Sequence, residues 1–362
     1  MLFDYIDGGS FDEVTLARNA RDLAAVEVQQ RVLRDMSAVE TATILAGQRV
    51  AMPLALAPVG FAGMYAARGE AQAARAARVS GVPFCLSTLG VCSIEEVAET
   101  GAAPWFQLYM TKDRMFMADL MARAAAAGCP VLVFTVDLPM PGPRYRDWRS
   151  GMSAQHNLIG RMRQALDGMT HPRWVADLYG RGRPHRFGNL SAVLPSSASF
   201  ADAWDWVRAN FDRSVTWRDL DFIRRHWNGP IVIKGILHPE DAHEAVGWGA
   251  DAIVVSNHGG RQLDGVRSSV AALPAIVDAV GGRTEILLDG GVRSGLDILR
   301  ARTLGASGVL MGRAWAFALA AAGQAGVARL LSTTRSELEA AMVLAGRSNL
   351  EGVVRDKTET SI

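Results

Sequence analysis

The run Ser256-Asn257-His258-Gly259-Gly260-Arg261-Gln262-Leu263-Asp264 sets an imidazole and a guanidinium three residues apart, beside paired glycines. An imidazole can take a proton near neutral pH, and a guanidinium can hold a carboxylate through two parallel hydrogen bonds. The plainer alternative is an exposed loop with a satisfied histidine. Asp137 closes another apolar run, where a carboxylate can orient a neighbouring imidazole and stabilise its protonated form. It could equally cap a helix or pair at a rim. Gln107 and Tyr109 stand two apart, so on a strand they share a face; a buried tyrosine with a paired hydroxyl is the alternative there. Lys234 follows Ile-Val-Ile and must face a polar mouth or an anion. Asp289-Gly290-Gly291-Val292-Arg293-Ser294-Gly295 and Gly312-Arg313 are glycine-rich turns with cations, suited to cradling a phosphate with backbone amides. Many phosphate-binding enzymes share such turns.

These residues need elements to hold them. Short apolar runs recur at Pro53–Pro58, Pro83–Ser87, Trp105–Tyr109, Val131–Asp137, Ile231–Ile236, Ala252–Ser256, Glu285–Asp289 and Gly308–Met311. They lack clean alternation and are bounded by Pro or Gly, as expected of parallel strands buried on both faces. Helical spacing fills Gly69–Ser80, Ile94–Thr100, Asp113–Ala127, Pro239–Gly247 and Gly295–Leu304. Strands alternating with helices predict an α/β chain, a (β/α)8 TIM barrel, with a doubly wound sheet as the alternative. The count of runs and the lack of a GxGxxG turn after the first favour the barrel. Every chemistry-bearing residue above then falls at a strand's C-terminal end, where barrel active sites form.

A long interval separates Asp137 from Ile231, and it predicts an insertion after the fourth strand, at about 145–225, within one domain spanning 1–362. Residues 151–190 carry Arg161, Arg163, Arg173, Arg181, Arg183 and Arg186 against Asp167 and Asp177, with Trp174, Tyr179 and Phe187 between them. Trp204, Trp206 and Trp217 follow.

With 362 residues, 49% of them hydrophobic and 21% charged, the chain has ample core and little tendency to disorder. A net charge of +1 gives no reason to expect nucleic acid. Cys85, Cys92 and Cys129 form no CxxC pair, so neither a disulfide framework nor a metal site is expected, and a reducing, cytoplasmic compartment is the simplest reading. No signal peptide and no membrane-spanning run are expected.

The run at 256–264 resembles the signature of FMN-dependent L-2-hydroxy acid oxidases and dehydrogenases. The likeness extends through Phe3–Gly9, Ala57–Gly60, Trp105–Tyr109, Thr135–Asp137, Ile233–Gly235, Asp289–Gly295 and Gly312–Arg313. Ala57-Pro58-Val59-Gly60, Gly63-Met64-Tyr65-Ala66, Arg144-Tyr145-Arg146-Asp147 and Ala321–Val327 are similar to the bacterial, quinone-linked L-lactate dehydrogenase branch. The resemblance implies FMN as cofactor and a small 2-hydroxy acid, foremost L-lactate, as substrate. It implies that His258 is the base, that Asp137 stabilises its imidazolium, and that Tyr109 bonds the substrate oxygen. Tyr5, Arg144 and Arg261 would hold the substrate carboxylate. Val59 and Gly60 would face the flavin through their backbone; Ser87, Gln107, Thr135 and Ser256 would bind its ring or ribityl edges. Lys234 would sit by N1–C2, where a cation favours reduction. Asp289, Gly291, Arg293, Gly312 and Arg313 would hold ribityl and phosphate. Gly60 and Leu89 would govern side-chain selectivity.

The acceptor implied is a quinone or another respiratory carrier, with molecular oxygen in a soluble oxidase or a mandelate substrate as alternatives. A non-catalytic flavin-binding barrel would not need His258, Asp137 and Arg261 together. The basic, aromatic stretch 151–190 is expected to touch anionic lipid, placing the enzyme on the inner face of the cell membrane; a solvated loop over the site is the alternative. The resemblance also implies a homotetramer. Family members carry about one more helix before the Phe-Asp-Tyr segment, which here begins at Phe3.

Overall fold

The computed structural model describes residues 1–150, 162, 166, 168–182, 187–195, 197–198 and 200–350. Its strands are β1 (Leu54–Leu56), β2 (Cys85–Ser87), β3 (Trp105–Tyr109), β4 (Leu132–Thr135), β5 (Ile231–Ile236), β6 (Ala252–Val255), β7 (Glu285–Leu288) and β8 (Gly308–Met311). They form one 8-stranded parallel sheet, and a parallel bridge from Leu56 to Phe84 joins β1 to β2 and closes it. Each apolar run expected to be a strand contains one. The (β/α)8 barrel is therefore the fold.

The helices are α1 (Leu2–Asp7), α2 (Val14–Ala24), α3 (Gly69–Val79), α4 (Ile94–Ala98), α5 (Arg114–Ala126), α6 (Tyr145–Ser150), α7 (Pro172–Arg181), α8 (Phe200–Asn210), α9 (Leu220–His226), α10 (Pro239–Gly247), α11 (Ser269–Val280), α12 (Gly295–Thr303) and α13 (Arg313–Leu344). Local chemistry starts several of them. Ser294 and Asp297 form a reciprocal capping box on α12, and Pro239 opens α10 at its first turn. The α11 helix contains Pro274, a residue that argues against a helix interior. Packing of Val270, Leu273, Ile276 and Val280 into the core outweighs it.

Two apolar layers organise the barrel. Leu54, Leu56, Leu86, Phe106, Phe134, Ile233, Ile253 and Leu288 point outward to the helices. Ala55, Cys85, Trp105, Val133, Val232, Val254, Leu287 and Leu310 fill the interior. A hairpin pairing Thr43–Leu45 with Gln48–Val50 supplies Leu45, Ala46 and Val50 to that interior cluster and seals its lower end. Strand side chains alternate with period two, so the next inward position on each strand reaches the upper rim. Those positions are Ala57, Ser87, Gln107, Thr135, Lys234, Ser256, Asp289 and Gly312. An apolar plug below thus dictates a polar ring above.

The interval between β4 and β5 holds α6 to α9. Its later part packs firmly: Trp206 meets Phe116 edge-on at 5.5 Å, and Phe211 stacks on Tyr109 at 5.0 Å. Arg161, Arg163, Asp167, Arg183 and Arg186, which belong to the expected basic stretch, lie outside the described residues.

One helix bears on the expectation of no membrane-spanning run. The α13 helix is long and apolar enough to cross a membrane by length and composition, with a mean hydropathy of 1.3. Its backbone is broken at Ala322 and Gly323, and Trp315, Leu319, Val327, Leu331 and Leu338 bury against the barrel. It follows β8 as the eighth barrel helix, and much of its apolar character comes from alanines.

Candidate active site

The loop after β6 is built residue by residue to present His258. The Ser256 hydroxyl accepts hydrogen bonds from Lys234 Nζ at 2.8 Å and from the His258 backbone N–H at 3.0 Å. Asn257 exchanges two side-chain hydrogen bonds with Asn19 of α2, at 2.8 and 2.7 Å. His258 itself adopts φ +59°, uncommon for a residue with a Cβ, and Gly259 and Gly260 follow at +66° and +72°. A Cβ on Gly260 would lie 2.6 Å from the Leu16 backbone, so only glycine lets α2 approach. Gln262 Nε2 donates to the carbonyls of Asp137 and Met140, tying this loop to the one after β4. The Asp264 carboxylate accepts from the N–H groups of Val14 and Thr15 and so caps α2.

His258 Nδ1 lies 2.9 Å from Asp137 Oδ1, which leaves Nε2 as the atom available to a ligand. Burial alone would raise the Asp137 carboxyl, but His258 and then Lys234 hold it below its ordinary value. The approach depends on a β-bulge between Lys234 and Ile236, where Gly235 has φ +115°. A Cβ there would stand 2.6 Å from the Asp137 Cβ.

Lys234 is buried and pairs with Asp289 Oδ2 at 2.7 Å. Burial would lower its ammonium, yet Asp289 and Asp137 raise it above the usual lysine value. Arg261 donates through Nη1 to the carbonyls of Tyr5 and Gly8, at 2.7 and 2.8 Å, and lies over the Tyr5 ring at 4.9 Å. Arg144 lies between the rings of Tyr5 and Trp204, at 5.6 and 5.8 Å. Its Nε and Nη1 make no hydrogen bond, and Asp147 stands 3.7 Å away.

One cavity at the C-terminal mouth, about 1080 Å³ with open solvent included, is lined by Tyr5, Val59, Gly60, Tyr109, Thr135, Arg144, Lys234, His258, Arg261, Asp289, Gly291, Arg293, Gly312 and Arg313. Asp137 stands behind His258. Ser87, Gln107 and Ser256 sit one layer behind the wall; the Ser87 hydroxyl donates to Gln107 Oε1 at 3.1 Å, and Ser256 bridges Lys234 and His258. Sequence reasoning did not place Trp204 or Tyr65 here, although both line the cavity. Trp204 had a signal, being an aromatic in an insertion that follows an active-site strand.

The polar inventory points to what the cavity holds. Gln107 Nε2, Thr135 Oγ1 and Asp289 Oδ1 are buried without partners. An amide donor, a hydroxyl and a carboxylate acceptor left open at one mouth suit a heteroaromatic ring with carbonyl and N–H edges and a hydroxylated tail. Arg293 and Arg313 stand beside Gly291 and Gly312 at the far end, a setting for a phosphate. Arg313 already donates to the carbonyls of Ile6, Gly259 and Gly8. Burial, then Arg261 and Arg293, push its guanidinium down to about 9. Positive charge is thus concentrated where an anion would relieve it.

Comparison with known proteins agrees with this geometry. A family model described as FMN-dependent dehydrogenase matches residues 1–360. An L-lactate dehydrogenase of Ectopseudomonas mendocina is 55% identical over 356 residues, covering 98% of this chain and 93% of the relative. Another from Caulobacter vibrioides is 57% identical over 346 residues, covering 95% and 90%. Among solved structures, mandelate oxidase with (S)-4-hydroxymandelic acid has a TM-score of 0.84 and 41% identity, covering 97% of this chain and 92% of that one. A second crystal structure of mandelate oxidase has a TM-score of 0.82 and 42% identity, covering 97% and 92%. The chain belongs to the FMN-dependent dehydrogenase family and is an FMN-dependent 2-hydroxy acid dehydrogenase.

Proposed function

We propose that this enzyme oxidises L-lactate to pyruvate and passes the electrons to a membrane quinone. The observation that carries the chemistry is the pairing of His258 with Asp137 in a pocket that His258 shares with Arg144, whose Nε and Nη1 make no hydrogen bond. Arg144 takes the substrate carboxylate as a charge-assisted pair, with Arg261 and Tyr5 completing the clamp. Tyr109 bonds the substrate hydroxyl. His258 Nε2 then takes the hydroxyl proton, and Asp137 stabilises the imidazolium that results.

Bound FMN supplies a two-electron acceptor for the hydrogen on the substrate's α carbon. Gln107 and Thr135 would hold its ring and ribityl edges, with Ser87 steadying Gln107 and Ser256 steadying Lys234. Lys234, buried at the mouth, would favour the reduced flavin by its charge. Gly291, Arg293, Gly312 and Arg313 would grip the phosphate and Asp289 the ribityl chain, with the Val59–Gly60 backbone toward the ring.

One observation supports lactate over an aryl substrate. The relatives at 55–57% identity bear the lactate name. The test is anaerobic flavin bleaching by L-lactate, glycolate and L-mandelate. We predict that L-lactate has the highest kcat/KM; faster bleaching by L-mandelate would overturn the substrate assignment.

For the acceptor, exposed Trp148, Met162, Leu166, Met169 and Tyr179 cluster in sequence around the insertion and favour a peripheral membrane contact. Such a contact would keep the enzyme on the inner face of the membrane.

A further inference from the structure

A second groove, of about 1270 Å³ with open solvent included, runs between α7 and the break in α13. Its apolar wall is Leu319, Ala320, Ala321 and Ala322; its rim carries Gln72, His171, Arg173 and Arg181. Tyr65 lines both this groove and the active-site cavity, and is itself buried.

The wall between the two spaces is a tied structure. Trp174 Nε1 donates to the Met64 carbonyl at 3.0 Å, and the Asp177 carboxylate accepts from the Ala67 N–H at 3.0 Å. The insertion helix α7 is thereby fastened to the loop after β1, which also carries Val59 and Gly60. The Tyr65 hydroxyl donates to the Gly60 carbonyl at 3.4 Å. Across the groove, Gly323 takes φ +56°, and Gln72 Oε1 accepts from the Gln324 N–H at 2.8 Å, which fixes the break in α13. Irregular backbone held open by a side chain faces α7 at this point.

We propose that this groove is the electron-acceptor site and takes the headgroup of a quinone. The inference rests on the quinone-linked reading above and adds the place of contact. The chemistry fits one occupant. A quinone ring is flat and apolar on its faces, as the alanine wall requires. Its two carbonyl oxygens gain electrons and become basic, as Arg173 on the rim favours, while Arg181 pairs with Asp177 at 3.5 Å. It needs only proximity to the flavin rather than entry to the substrate pocket, and Tyr65 lines both spaces. The step balances: reduced FMN would give up two electrons and two protons, and the quinone would take up two of each to become the quinol.

The test separates the half-reactions in the FMN-loaded enzyme. Ala321→Trp fills the groove from an exposed helix position and touches no residue assigned to catalysis. Anaerobic bleaching by L-lactate and turnover with a small water-soluble phenazine dye should stay within about twofold of wild type, whereas kcat/KM for decylubiquinone should fall by about tenfold or more. Arg173→Gln, on the facing wall, should raise the decylubiquinone KM without altering bleaching. Unchanged decylubiquinone turnover in both variants would overturn the site, as would parallel loss of bleaching and dye turnover in Ala321→Trp. If lactate-reduced wild type reacts with the dye but not with decylubiquinone, the quinone-linked reading itself fails, and the groove assignment with it.

Discussion

At the scale of single residues, chemistry depends on who stands beside whom. Asp137 serves His258 only because its carboxyl stays ionised in a buried place. Asp137→Asn keeps the shape but loses the charge, so we predict a drop in flavin reduction by L-lactate of about 10²–10⁴-fold with FMN retained. Stopped-flow bleaching would check it. The stability effect has a definite sign. A carboxyl whose folded value lies below its unfolded one stabilises the fold fully above the unfolded value, and that contribution is lost as pH falls through the folded one. The stability gap between wild type and Asp137→Asn should thus be level near neutrality and shrink below about pH 3.8. Denaturant melts across pH would show it, and a gap that widened in acid would contradict the pairing. The residues of this site were legible because they are polar types at the ends of apolar runs. Asn19 was not: it bonds Asn257 across more than half the chain, and nothing local in Leu16–Arg21 signals a partner there.

At the scale of elements, period-two alternation explains most of what sequence could reveal. Val133 below Thr135, Val232 below Lys234 and Leu287 below Asp289 repeat one pattern, so burial of the lower residue fixes where the upper one points. The interior hairpin escaped notice because Thr43–Leu45 and Gln48–Val50 are too short for a periodic signal. The bulge at Gly235 escaped as well, since a lone glycine in a strand does not say which neighbour comes close. It yields a clear prediction. Gly235→Ala must force a Cβ against Asp137 at a φ that L-residues rarely adopt, and should cost about 1–3 kcal/mol. The urea midpoint should fall and flavin reduction slow together. An unchanged midpoint with full activity would mean that the bulge does not set the Asp137 position.

At the scale of the whole molecule, the barrel gathers Lys234, Arg144, Arg261, Arg293 and Arg313 around one cavity in a chain whose net charge is only +1. Global charge gave no hint of that concentration, because the cations come from separate strand ends. Like charges crowded in a buried site favour anion binding. Saturating apoprotein with FMN at about 100 times Kd should therefore raise unfolding free energy by about 2.7 kcal/mol. Riboflavin, lacking the phosphate, should stabilise less, and equal shifts in thermal melts would contradict the role given to Arg293 and Arg313. The central claim is that His258 is the base of L-lactate oxidation in an FMN site formed by all eight strand ends. Its most direct test is anaerobic stopped-flow mixing of FMN-loaded wild type and His258→Gln with L-lactate. The variant should keep its yellow spectrum and FMN content but bleach slower by about 10²–10⁴-fold; bleaching at the wild-type rate would contradict the account.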